Sequence, residues 1–128
     1  MGRGSVRLEA NASAPRRARR YAAERCQQLP ADALYVVTLL VSELVTNAVV
    51  HGEGEVWMDV EIDEAVVTVG VSDQGSGMVT PASRFSWPET GHGMTLVQAM
   101  SDRWGVEQKT ATSGKRVWFE LTWTSDGA

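Results

Sequence analysis

The chain has 128 residues, of which 43% are hydrophobic and 22% charged, with a formal net charge of -4. That length fits one domain with a sizeable core, and the composition excludes wholesale disorder. The mildly acidic balance gives no overall attraction to nucleic acid or anionic membrane, and a lone cysteine, Cys26, excludes an internal disulfide and a Cys/His zinc cluster.

Seven of the twelve basic residues fall in the first twenty-five positions: Arg3, Arg7, Arg16, Arg17, Arg19, Arg20 and Arg25. This start lacks the apolar stretch of a signal peptide, and no run approaches the roughly 18 consecutive apolar residues of a membrane span, so a cytoplasmic setting is expected. Residues 6–10 alternate weakly, as an edge strand would, within an N-terminal segment over 1–14. Pro15 opens a helix with an apolar stripe of Tyr21, Ala22, Cys26 and Leu29, and Pro30 ends it. Its arginines point around more than one side without an aromatic platform. They read as a solvated face, or one that docks an acidic protein, rather than a nucleic-acid surface.

A second helix spans 32–51, with Asp32 as N-cap and Gly52-Glu53-Gly54 as its stop. Alternation over 56–62 predicts a half-buried strand; a turn at Asp63-Glu64 leads to another over 66–72. A polar, glycine-rich loop follows over 74–90, then a short helix over 94–101. Strands over 104–107 and 117–121 flank a turn at Thr112-Ser113-Gly114. Four of the five tryptophans are expected in the core or the sheet, and Trp87 in the loop. There is no internal repeat and no domain linker. The expected fold class is α+β: a two-layer α/β sandwich with helices on one face of a mixed, mostly antiparallel sheet. The main domain would run over 15–124, with a tail over 125–128.

Three places could carry chemistry. On the second helix, Leu34, Val37, Val41, Leu44, Val45 and Ala48 form one broad apolar face. Glu43 and Asn47, four apart, stack on another face beside Val36, Leu39, Leu40 and Val50. A carboxylate and an amide there are costly to bury unless a ligand satisfies them; an exposed, solvated face is the alternative. Next, Asp73-Gln74-Gly75-Ser76-Gly77 ends an apolar strand, where a carboxylate can accept from a ligand amino group and glycines allow close approach. The same residues also suit an ordinary turn. Last, Gly91-His92-Gly93-Met94 leads straight into a helix, whose free N–H groups suit phosphate, or serves as hinge and cap. It is neither a Walker P-loop nor a dinucleotide fingerprint.

The order and spacing of Glu43-Leu44-Val45-Thr46-Asn47, Asp73-x-Gly75-x-Gly77 and Gly91-x-Gly93-x-x-Leu96-Val97 resembles the N, G1 and G2 boxes of the GHKL ATPases, which share the Bergerat fold. Within that superfamily the chain is most similar to the anti-sigma-factor serine/threonine kinases and their short actinobacterial relatives. Pro15-Arg16-Arg17, Leu40-Val41-Ser42-Glu43, Asp102-Arg103-Trp104-Gly105 and Lys115-Arg116-Val117-Trp118 carry this likeness, which spans about 15–123. The resemblance implies ATP and Mg2+ as ligands. Asn47 would give a side-chain oxygen to Mg2+, and Glu43 would be the general base. Asp73 would accept from the adenine amino group, with Gly75 and Gly77 allowing close passage. Gly91, His92, Gly93 and Met94 would present the lid hinge and N–H groups to the phosphates. Two departures stand out: His92 replaces a frequent arginine, and Arg116 occupies the place assigned to a threonine that helps hold adenine.

The resemblance therefore implies an anti-sigma-type regulator that transfers the γ-phosphoryl of Mg-ATP to a serine or threonine of a STAS-type anti-anti-sigma factor. A sigma factor would be the other partner, and homodimerisation follows from the same likeness. The alternatives are a nucleotide-gated binding module with little or no transfer, and an interaction scaffold with a vestigial site. The short span over 78–90 and the lack of room for a helical dimerisation segment disfavour a histidine kinase.

Overall fold

The computed structural model describes residues 2–75, 93–108 and 114–124. In chain order the elements are β1 (Gly2–Leu8), α1 (Ala14–Arg25), α2 (Ala31–His51), β2 (Val56–Asp63), β3 (Val66–Asp73), α3 (Gly93–Met100), β4 (Arg103–Gln108) and β5 (Lys115–Thr122). The strands form one sheet in the order β1-β2-β3-β5-β4, and every described ladder is antiparallel. The expected α+β sandwich is thus observed, without a parallel pair among the described residues.

Successive strand residues point to opposite faces, so register decides what is buried. Val56, Met58, Val60 and Ile62 of β2 face inward, as do Val67, Val69 and Val71 of β3 and Val117, Phe119 and Leu121 of β5. The opposite face bears Trp57, Asp59, Glu61, Arg116, Trp118 and Glu120 and is left open. The described tryptophans therefore lie in or beside the sheet but not in the deep core. Trp57 is 43% exposed, and Trp118 lies half-buried under the Arg103 guanidinium, 5.7 Å from its ring centre. Trp104 and Trp123 pack partly against the core.

The helices cover the inner face. In α1 the buried positions are Ala14, Ala18 and Ala22, continued by Cys26. This i, i+4 row of small side chains lets α1 lie close along α2. Ala22, Cys26 and Leu29 of the expected stripe are buried, and Ala14 and Ala18 extend it; Tyr21 is only partly buried, with Arg25 6.0 Å from its ring centre. Arg19 Nη1 also donates to Ser42 Oγ of α2 at 2.9 Å. Arg16, Arg17 and Arg20 remain exposed.

By length and composition alone α2 could cross a membrane, with a mean hydropathy of 1.9. Here its apolar residues are the centre of the core: Ala33, Val37, Leu40, Val41, Leu44, Val45 and Ala48 are buried. Leu40 joins this face rather than the Glu43 face, because the sheet and α1 cover a wider arc than a single stripe. The N-cap is Pro30, not Asp32. Proline holds an extended ψ of 157° that turns the chain into the helix, so Asp32 falls within the first turn, where negative charge is favoured.

Candidate functional site

Asp73 ends β3 on the inward row that begins with Val67, Val69 and Val71, so the strand's own alternation carries a carboxylate into the buried layer; it is 5% exposed. Directly opposite in the ladder stands Lys115, first residue of β5 and equally buried. Its ammonium lies 3.1 Å from each carboxylate oxygen. The N–H of Gly75 donates to Asp73 Oδ1 at 2.7 Å, closing a tight turn. Burying a charge is costly unless it is paired and hydrogen-bonded, and these contacts meet that requirement for Asp73.

The end of α2 is brought against this carboxylate. The N–H of Gly52 donates to Ala48 O at 2.8 Å, and its Cα faces Asp73 so closely that a Cβ would collide with the Ala48 carbonyl and the Asp73 carboxylate. The turn beyond is stitched to the end of β3. Gln74 N–H donates to Glu53 O at 2.8 Å, and Glu55 N–H donates to Gln74 Oε1 at 2.8 Å. Gly54, at φ 70°, supplies the left-handed residue that this turn requires. Strand end and helix end are thereby held as one unit.

That unit fixes where Asn47 and Glu43 stand. Asn47 lies five residues before Gly52, roughly 7.5 Å back along the axis, and Glu43 is about 6 Å further. Both are half-buried. Among the described residues no cluster of three or more His, Cys, Asp or Glu side chains could enclose a metal. Asn47 offers a half-buried amide oxygen, the kind of ligand that Mg2+ takes once or twice from a protein alongside substrate phosphates and water.

At the other boundary, α3 begins at Gly93, and its first turn has backbone N–H groups without helical partners. The Met94 side chain is buried in the core at 5% exposure, so only its backbone is available to a ligand. Gly77, Gly91 and His92, and Trp87 with them, lie outside the described residues.

One expectation is corrected. Arg116 does not face Asp73. Paired with Ser72, it points to the open face of the sheet, with Nη2 2.7 Å and Nε 3.1 Å from the Asp59 carboxylate, and Nη1 3.5 Å from Glu107. The hydrogen bond to Asp59 holds its pKa above the ordinary value, against the opposing effect of burial. Its side chain lies across Gly70, where a Cβ would strike it. The cleft of about 690 Å3 on this face, lined by Arg3, Asp59, Glu107, Arg116 and Trp118 among others, is therefore separate from Asp73 and lined by charges that pair with one another. The residue beside Asp73 is Lys115, which sequence reasoning missed. The alternation of Lys115, Val117, Phe119 and Leu121 was the available signal.

The sequence profile of the histidine kinase-like ATPase domain matches residues 6–121. An anti-sigma F factor of Pasteuria penetrans is 33% identical over 86 residues, covering 56% of this chain and 57% of that protein. One from Clostridium beijerinckii is 30% identical over 99 residues, covering 67% and 69% respectively. A third, from Clostridium novyi, is 34% identical over 94 residues, covering 63% and 65%. The matched stretch thus spans about 57–69% of the length of these relatives.

Proposed function

Because the chain belongs to the histidine kinase-like ATPase family, we propose that it is an anti-sigma-type regulator that binds Mg-ATP and phosphorylates a serine or threonine of a STAS-type antagonist. The observation that carries this reading is the docking of the Asp73–Gly75 turn onto the end of the helix that bears Asn47 and Glu43. Base recognition and phosphate chemistry then lie along one rigid helix, in the order in which a nucleotide presents them.

The adenine amino group would donate to Asp73. Asn47 would hold the Mg2+ carried on the phosphates, and that ion would offset their negative charge. With the γ-phosphoryl near Glu43, the acceptor hydroxyl oxygen attacks phosphorus as the bond to the β–γ bridging oxygen breaks. ADP leaves with that oxygen, and the hydroxyl proton passes to the Glu43 carboxylate. The chemistry needs chiefly positioning and charge compensation, which side chains fixed on a helix can supply. The exposed Arg16, Arg17 and Arg20 of α1 offer a basic face to an acidic protein partner, in keeping with the anti-sigma names of the relatives.

The test mixes the protein with γ-labelled ATP, Mg2+ and a STAS-type protein. Transfer by the parent and its loss in Glu43→Ala are expected. ATP binding without transfer to any such protein would instead identify a nucleotide-gated binding module. A chain that binds no ATP would sink both readings.

A further inference from the structure

Lys115 occupies a place where the fold does not call for a charge. It opens the inward row of β5, which continues with Val117, Phe119 and Leu121, and it is enclosed as they are. A buried ion pair is seldom better for stability than apolar residues of similar size, so core packing alone gives no reason for an Asp73–Lys115 pair at this point. What the pair does provide is an acceptor and a donor side by side, on neighbouring strands and on one face, 3.1 Å apart.

Neither group is saturated by the other. A carboxylate has about four acceptor sites, and an ammonium has three donors. Among the described residues Asp73 accepts one bond from Gly75 and those from Lys115, while contacts to two oxygens use at most two of the lysine's three N–H groups. The remaining acceptor and donor match adenine, which shows an amino donor next to a ring-nitrogen acceptor, the pattern that the amide of Asn or Gln reads elsewhere. Guanine carries a carbonyl where adenine has its amino group, so it would set an acceptor against Asp73.

We propose that Lys115 is a base-reading residue, donating a hydrogen bond to the purine ring nitrogen beside the amino group that Asp73 accepts. The proposal rests on the nucleotide reading above and adds a second point of recognition. Asp73 and Lys115 together then act as a charged counterpart of an amide side chain.

The experiment titrates ATP and its two deaza analogues, in which carbon replaces N1 or N7, into the parent and K115M, with binding followed by calorimetry. For the parent, one analogue should bind roughly tenfold to a hundredfold more weakly than ATP, the range of a lost hydrogen bond to a charged group. In K115M that gap should close. A second measurement uses the intact protein. The chain has two lysines, Lys109 and Lys115, so 15N-lysine labelling gives two ammonium signals, assigned with K109R. The Lys115 signal should shift with ATP and not with the discriminated analogue. Equal binding of ATP and both analogues by the parent would overturn the proposal, as would a gap that K115M leaves unchanged or a Lys115 signal indifferent to ATP. Lys115 would then only neutralise Asp73. A parent that binds no nucleotide would overturn the nucleotide reading itself, and this proposal with it.

Discussion

Replacing Asp73 by Asn separates the structural role of the buried ion pair from its role in binding. The carboxamide oxygen can still accept from Gly75, but it leaves the Lys115 ammonium in the inner layer without its counter-charge. The two side chains are only 2% and 6% exposed, so solvent screening relieves little of that cost. Removing one partner of such a pair typically costs about 3–5 kcal/mol, and the position at a strand end argues for the lower figure. With an unfolding entropy of about 2.1 cal/mol/K per residue over 128 residues, a loss of ~3 kcal/mol corresponds to a fall in Tm of roughly 11 °C. Urea unfolding of the nucleotide-free protein reads the effect directly. The double variant D73N/K115M removes both charges and should recover about 2 kcal/mol or more relative to D73N. It should not recover ATP affinity. A D73N cost below about 1 kcal/mol, or a double variant no more stable than D73N, would refute the assignment of a tightly coupled buried pair.

Three further outcomes are expected. Glu43→Gln, which keeps the side-chain shape, should lower phosphoryl transfer about 10²–10⁴-fold while ATP binding persists, measured by quenched-flow transfer alongside calorimetry. Gly52→Ala should destabilise the chain by about 1–3 kcal/mol and weaken ATP binding, because its Cβ meets a helix carbonyl and the Asp73 carboxylate; thermal unfolding with and without ATP reads both. Burial pushes the Cys26 thiol from 9.0 up to about 11, with Arg25 opposing the shift. Between those values the unfolded chain releases the thiol proton and the native chain keeps it. The contribution of Cys26 is therefore present below pH 9 and lost as pH rises toward 11. Comparing urea midpoints of the parent and Cys26→Ala at pH 8 and pH 10.5 should show the steeper decline in the parent.

The parts of the fold legible in the sequence were those with strong local periodicity. The alternation of Val56, Met58, Val60 and Ile62, and the long apolar face around Val37, Val41 and Leu44, marked β2 and α2 directly. Asp73 was legible as a candidate because a carboxylate at the end of an apolar strand, followed by glycines, can accept from a ligand's amino group. What depends on contacts distant in sequence was not legible. The arc of α2 that becomes buried is set by the sheet and α1 together, which is why Leu40 was misplaced. In Lys115-Arg116, two adjacent cations differ only in which face the strand turns them toward, and the β3–β5 ladder settles that by placing Lys115 opposite Asp73 and Arg116 opposite Ser72. The docking of Gly52 onto the Asp73 carboxylate joins residues 21 apart, for which composition offers no sign.

Calorimetric titration of ATP into the parent and Asn47→Ala, with and without Mg2+, decides whether α2 carries a Mg-dependent ATP site. Saturable one-to-one binding by the parent is expected, requiring Mg2+ and lost or strongly weakened in Asn47→Ala. No binding by the parent, or binding by Asn47→Ala equal to it in the presence of Mg2+, would rule that site out.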